Sequence, residues 1–126
     1  MDDATRPQAE EDFFCHIVIP SKDYRLSTIF FEKVFGWRVQ EVPGAGFLDV
    51  LPPSGEGPSA ELNAEEETVV PVIHTSDIEG KLELIEAFGG KRLQGKTAIG
   101  EGTEYGYYAL FEDPQGNKMC LYSEGR

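Results

Sequence analysis

Basic residues and long apolar runs are both scarce in this chain. Eleven Lys and Arg stand against 23 Asp and Glu among 126 residues, which gives a formal net charge of -12. An excess of acidic residues disfavours binding to phosphate backbones and to anionic membrane surfaces. No apolar stretch approaches the roughly 20 residues that a membrane-spanning helix needs. We therefore expect neither nucleic acid nor membrane as a partner.

Cysteine is scarce as well. Cys15 and Cys120 form neither a CxxC motif nor a Cys/His cluster, which disfavours a zinc finger. Residues 1–12 are acidic and polar, without the basic end and apolar stretch of a signal peptide. We interpret them as a flexible acidic leader, predict a cytoplasmic protein, and expect no structural disulfide in that compartment. Residues 13–126 are predicted to form a single domain.

One sequence pattern occurs twice in the chain. An apolar stretch starts at His16 and reaches Asp23 seven residues on, and a second starts at Val70 and reaches Asp77 at the same spacing. Each Asp precedes an amphipathic run that closes on a Phe-Gly pair. A long repeat that is present only twice indicates two similar modules that together complete one domain.

The modules are predicted to span about residues 13–63 and 69–124. Strands are indicated by β-branched and aromatic residues, and helices by apolar residues at helical spacing behind an Asp cap. The predicted strands are 13–19, 37–42, 47–51 and 59–63 in the first module and 69–75, 91–99, 105–111 and 118–122 in the second, each module having its helix after the first strand. The order is βαβββ twice, so we predict an α+β fold with curved mixed sheets around a central cavity.

Several motifs resemble those of the vicinal oxygen chelate superfamily, which includes glyoxalase I, the bleomycin and fosfomycin resistance proteins and the extradiol dioxygenases. The ending Phe-x-Asp-Pro-x-Gly-Asn, followed by a short apolar strand, is the most specific of them. The motifs are His16 to Asp23, Phe30-Phe31, Val34 to Trp37, Ser76-Asp77, Phe88 to Lys91 and Tyr108 to Asn117. The combination looks most like an uncharacterised glyoxalase-like branch, and it covers residues 13–124.

The resemblance implies a divalent metal held by one ligand on the first and last strand of each module. Those positions hold His16 and Glu61 in the first module, and Val70 and Cys120 in the second. Val70 cannot ligate. His, carboxylate and thiolate suit zinc, and the first two also suit nickel, iron and manganese. We therefore predict His16, Glu61 and Cys120 as a candidate metal site. The alternative is that His16 is a hydrogen-bonded wall residue and Cys120 a core residue.

The same positions bear on the reaction class. Glyoxalase I-like members use metal-bound glutamates to move a proton, and Cys120 stands where the resemblance expects the second of these. Glu61 is therefore the predicted catalytic residue, and glyoxalase I activity proper is disfavoured. Ring cleavage is not expected, because a second histidine for iron is missing at the matching position. Gly100 and Gly102 form no phosphate loop, so no organic cofactor is predicted.

Three further residues are candidates for ligand binding. His74 follows Val70 by four residues, so strand alternation places both on one face. It would lie roughly 13 Å along the strand, too far to share a metal, and it is either a ligand contact or a hydrogen-bonded strand-end histidine. Tyr105 and Tyr107 follow a glycine-rich segment that could cover a pocket, and the alternative for both is packing.

The sequence thus predicts a glyoxalase-like protein that acts on, or binds, a small organic molecule in the cavity between the modules. A divalent metal would act as Lewis acid on the molecule, in a lyase-like reaction if the protein is an enzyme. Superfamily members commonly pair, which predicts a homodimer. The alternative is a metal-free protein that sequesters a small molecule, as bleomycin-resistance proteins do.

Overall fold

The computed structural model describes residues 12–52 and 54–124. The predicted leader, residues 1–12, lies outside the described residues except for Asp12. The chain divides into two compact units: Cys15–Pro71, here the amino-terminal unit, and Met1–Phe14 with Val72–Arg126, here the carboxy-terminal unit. Neither helix within the described ranges is long and apolar enough to cross a membrane.

The predicted order of elements is confirmed, with each βαβββ series on the predicted part of the chain. The fold class is α+β. The elements are β1 (Phe13–Pro20), α1 (Tyr24–Phe35), β2 (Arg38–Glu41), β3 (Leu48–Leu51), β4 (Ser59–Asn63), β5 (Val70–His74), α2 (Ile78–Ala87), β6 (Lys91–Ala98), β7 (Tyr107–Glu112) and β8 (Lys118–Ser123).

In the amino-terminal unit the strands run in the order β2-β3-β4-β1. The pairs β2–β3 and β3–β4 are antiparallel, and β4 pairs with β1 in parallel. Helix α1 begins after Asp23, whose side chain accepts a hydrogen bond from the Leu26 N–H, as predicted for a cap. Tyr24 and Phe31 of this helix pack on a core whose buried members are Val50, Ala60 and Leu62. One face of this sheet is therefore covered by α1.

The carboxy-terminal unit repeats this plan in the order β5-β8-β7-β6, with β5 and β8 parallel. The side chain of Asp77 accepts a hydrogen bond from the Gly80 N–H and caps α2. Ile78 and Leu82 of α2 are buried against β7 and β8, in a core completed by Ala109, Phe111 and Leu121.

The start of β7 differs from the predicted strand 105–111. Gly106 has a left-handed φ of 92°, its N–H donates to the carbonyl of Thr103, and its own carbonyl accepts from the Ile99 N–H. Because a left-handed residue interrupts an extended chain, Tyr105 lies in a turn and the strand begins only at Tyr107.

Candidate functional site

The amino-terminal sheet carries a group of polar side chains on the face opposite α1. Ile17, Leu48, Val50 and Leu62 belong to the core beneath the helix. Side chains alternate between the two faces of a strand, so the residues next to them point the other way. The face opposite α1, here the polar face, carries His16, Asp49, Ser59 and Glu61.

His16 is the centre of this group. Its Nδ1 lies 2.6 Å from the Ser59 Oγ, and its Nε2 lies 2.8 Å from the Glu61 Oε1. The other carboxylate oxygen of Glu61 accepts a hydrogen bond of 3.0 Å from the Asn63 side-chain amide. The parallel pairing of β1 and β4, which sets His16 beside Ser59 and Val18 beside Glu61, produces this line of contacts.

The chemistry of the partners fixes the direction of these hydrogen bonds. A carboxylate can only accept, so the Nε2 of His16 carries a hydrogen and donates it to Glu61. When the imidazole is neutral, the other nitrogen is an acceptor and the Ser59 hydroxyl donates to Nδ1, whereas a protonated ring donates from both nitrogens. The side chains of His16 and Glu61 are only 19% and 11% exposed, so water competes weakly for these contacts.

Asp49 joins the group from β3, where it pairs with Glu61 across the antiparallel register. Burial raises the pKa of its carboxyl, the charge of His16 lowers it, and the charge of Glu61 raises it. Asp49 is not among the site residues predicted from the sequence. The available signal was the alternation of Leu48, Asp49 and Val50, which turns the carboxyl away from the core once Val50 is placed inside.

Of the predicted metal ligands, His16 and Glu61 are brought together and contact each other directly. Cys120 belongs to the carboxy-terminal unit, where it is buried on β8 and its thiol donates to the Leu121 carbonyl at 3.3 Å. No group of three or more His, Cys, Asp or Glu in residues 12–52 and 54–124 has an arrangement that could hold a metal ion. The amino-terminal unit thus holds two of the three predicted ligands, whereas a catalytic zinc site normally has about three. The predicted three-ligand set stays a prediction.

His74 lies at the end of β5 in an aromatic setting. Its ring stacks on Phe13 with centroids 5.1 Å apart and lies 6.0 Å from the Tyr122 ring. The Nε2 is 3.8 Å from a Glu124 carboxylate oxygen, and the buried Nδ1 has no hydrogen-bond partner among the described residues. Its predicted role in ligand binding stays a prediction.

The predicted ligand-binding tyrosines have different surroundings. Tyr107 packs against the core beneath α2, and the Lys96 ammonium lies 4.6 Å from its ring centroid. Tyr108 is on the other face of β7, where its hydroxyl accepts from the Gln94 amide at 2.9 Å. Tyr105 is partly buried in the turn before the strand. The ligand-binding roles of Tyr105 and Tyr107 stay predictions.

Solved structures with the same fold come from several bacteria. A hypothetical protein, BH1468, from Bacillus halodurans C-125 has a TM-score of 0.67 at 14% identity, over 91% of this chain and 96% of its own. A glyoxalase/bleomycin resistance protein/dioxygenase superfamily member from Vibrio splendidus 12B01 has a TM-score of 0.61 at 17% identity, over 85% and 94%. Methylmalonyl-CoA epimerase from Mycobacterium tuberculosis has a TM-score of 0.55 at 12% identity, over 92% and 89%.

No curated protein matches this chain in sequence. A family model described as the glyoxalase-like domain matches residues 16–122. That range contains the polar face and all of both βαβββ series except the first residues of β1 and the last residue of β8. The chain therefore belongs to the glyoxalase-like domain family, a family with the vicinal oxygen chelate fold.

Proposed function

We propose that this protein binds a small organic molecule on the polar face of the amino-terminal unit, and that Glu61 and His16 move a proton on it. The observation that carries the proposal is the 2.8 Å hydrogen bond between His16 and Glu61, both largely shielded from water, on the sheet face that α1 does not cover. General acid–base chemistry requires such titratable groups within hydrogen-bond reach of the substrate.

The two residues have complementary roles. A ligand carbonyl or hydroxyl oxygen can take the place of Glu61 as acceptor of the His16 Nε2–H. The carboxylate of Glu61 then loses that partner and is free to accept a proton from the adjacent carbon of the ligand. Asn63 still holds the second carboxylate oxygen at 3.0 Å, which keeps the group oriented during the transfer.

The charge of the site bears on the ligand class. Asp49 and Glu61 are paired across β3 and β4, and the chain as a whole has a net charge of -12. Like charges that share a face repel an incoming anion. Neutral or cationic carbonyl and hydroxy compounds are therefore the expected ligands, in preference to polyanionic ones.

A divalent metal is part of the prediction from the sequence resemblance. His16 and Glu61 have suitable donor chemistry, but they are only two of the three predicted ligands, and a catalytic site usually has three. The proton transfer described above accordingly runs through His16 and Glu61 alone.

A second candidate function is binding without chemistry, as in a protein that sequesters a small molecule. It is favoured by one observation: His16 and Glu61 are hydrogen-bonded to each other and to Ser59 and Asn63, as polar wall residues of a binding site would be. The two candidates differ in turnover, since a sequestering protein binds its ligand and returns it unchanged.

The test is solvent deuterium incorporation. Neutral hydroxy-ketones and keto-esters are incubated with the protein in deuterated water, and exchange at the carbon beside the carbonyl is followed by proton NMR. Wild type is expected to exchange one of these probes, and Glu61→Gln to lose at least about 100-fold in rate. Glu65→Gln, at an exposed position shortly after β4, is the matched control and keeps full activity.

Binding of the same probes is measured by titration calorimetry. Binding without exchange by the wild type would support the sequestering function and contradict proton transfer. Neither binding nor exchange would overturn the proposal for this face. Exchange that survives in Glu61→Gln would remove Glu61 from the reaction.

A further inference from the structure

We propose that Ser59, His16 and Glu61 form a nucleophilic triad that accepts an acyl group from an activated ester. Ser59 thereby takes a covalent step that proton transfer by Glu61 does not involve, and it is not among the site residues predicted from the sequence. The triad rests on the proposed function in one respect, that a ligand reaches the polar face.

The three groups lie in the order that an activated serine requires. Ser59 Oγ is 2.6 Å from His16 Nδ1, and His16 Nε2 is 2.8 Å from Glu61 Oε1. A nucleophile within hydrogen-bond reach of a base, with the base oriented by a third group, is the arrangement that generalises the serine hydrolase triad. Here the acid contacts Nε2 and the serine contacts Nδ1, whereas in the serine hydrolase triad the acid contacts Nδ1 and the serine contacts Nε2.

The direction of the hydrogen bonds supports the same assignment. The carboxylate of Glu61 can only accept, so in the neutral imidazole the hydrogen of His16 is on Nε2 and the Nδ1 lone pair faces the serine hydroxyl. That lone pair is the base that an attacking Ser59 Oγ needs. As Nδ1 takes the proton, the ring becomes cationic and Glu61 stabilises it at 2.8 Å.

Ser59 stands at the first position of β4, directly after the exposed loop of residues 54–58, and is itself partly buried. The acid of the triad is more deeply buried, with 11% of the Glu61 side chain exposed.

The reaction balances as an acyl transfer to water. Ser59 Oγ bonds to the ester carbonyl carbon while its proton moves to His16 Nδ1, and the carbonyl electron pair moves to oxygen. When that pair returns, the bond to the alcohol oxygen breaks and the leaving group takes the proton from Nδ1. Water then attacks the acyl-serine, with His16 again as base, and releases a carboxylic acid and free Ser59.

The experiment uses 4-nitrophenyl acetate as acyl donor and intact-protein and peptide mass spectrometry as readout. Wild type is expected to release 4-nitrophenolate in a burst and to carry one acetyl group on Ser59. Ser59→Ala abolishes that adduct, and His16→Ala slows its formation at least about 100-fold. Ser54→Ala, a serine of the preceding loop, is the matched control and acetylates at the wild-type rate.

Ser59→Cys separates a nucleophile from a residue that only positions His16. A thiol at this place accepts the acetyl group as a thioester, whereas Ser59→Ala accepts none. Circular dichroism confirms that each variant is folded before it is compared. No adduct on Ser59 of folded wild-type protein, or an adduct that forms equally fast in His16→Ala, would overturn the triad.

The two proposals fail separately. Acetylation of Ser59 and deuterium exchange are separate readouts on the same wild-type protein, so each proposal is judged by its own readout. Absence of acetylation in a wild type that exchanges deuterium overturns the triad alone. Acetylation of Ser59 in a protein that exchanges no deuterium supports the triad and contradicts proton transfer by Glu61.

Discussion

Asp49 lies directly across the antiparallel β3–β4 pair from Glu61, so the polar face holds two carboxyl groups side by side. Directly opposite residues on antiparallel strands have Cβ atoms about 4.5–5.5 Å apart, and like charges at that separation are destabilising. Burial raises the pKa of Asp49, the charge of His16 opposes the rise, and the charge of Glu61 adds to it.

Asp49→Asn is expected to stabilise the fold at neutral pH. A carboxyl whose folded-state pKa is raised contributes stability that is fully present below its unfolded pKa, and this contribution is lost as the pH rises through the folded value. The advantage of the variant should therefore be present at pH 7 and disappear in acid, near the ordinary value of 3.8. Urea unfolding of both proteins across this range measures it.

Asp113→Asn is the control, because its stability relative to wild type should change with pH in the opposite direction. Hydrogen bonds from the side chain and backbone of Asn117 lower the pKa of the exposed Asp113 carboxyl, so its stabilising contribution exists above the unfolded pKa and fades as the pH falls. This variant should be less stable than wild type at pH 7 and should approach it in acid. Identical pH trends for Asp49→Asn and Asp113→Asn would contradict the assignment.

Leu82→Ala tests the core beneath α2. Leu82 is fully buried against β7 and β8, so its truncation should lower the free energy of unfolding by about 2–5 kcal/mol. Leu84→Ala, two residues on in the same helix and 53% exposed, should change it by no more than about 0.5 kcal/mol. Chemical denaturation of both variants gives the comparison, and equal losses would mean that the helix packs by another face.

Gly106→Ala tests the turn that precedes β7. The residue has a φ of 92°, and an added Cβ would run into the Ser123 carbonyl oxygen. A left-handed backbone alone costs a residue with a side chain about 1–2 kcal/mol, so a loss of about 2 kcal/mol or more is expected. Gly95→Ala on β6, where an added Cβ meets nothing within 4 Å, is the control. Thermal unfolding that ranks the two variants equally would contradict this account.

Asp77→Ala tests the cap of α2. The Asp77 carboxylate accepts a hydrogen bond of 3.0 Å from the Gly80 N–H, and loss of such a cap typically costs about 1 kcal/mol. Glu83→Ala, exposed in the middle of the same helix, should remain within about 0.5 kcal/mol of wild type. The difference in urea midpoint between these variants is the measurement.

Sequence patterns were sufficient for the fold because each element carries a local signal. Asp23 and Asp77 predict the starts of the two helices, and the side chain of each caps its helix in the structure. The β4 prediction matches the strand Ser59–Asn63 at both ends. These signals depend on neighbours in the chain, and the two repeated series reinforce one another.

The site was only partly predictable, because it depends on register between strands that are distant in the chain. His16 and Glu61 could be paired through a family resemblance. The place of Ser59 in the site could not be predicted, because a serine at the start of a strand is common. The contact of Ser59 with His16 follows from the parallel β1–β4 register. Asp49 was missed because the alternation in the four residues of β3 shows its side chain only once Val50 is known to be in the core.

The parallel pairing of β1 with β4 also determines when His16 and Glu61 can meet during folding. His16 and Glu61 are separated by 45 residues in the chain, and α1 and two strands lie between them in sequence. Pairings of such separation must first overcome the entropy of closing a long loop, which slows folding. The polar cluster therefore exists only where β1 and β4 are paired, and parting of these strands would separate His16 from both Ser59 and Glu61.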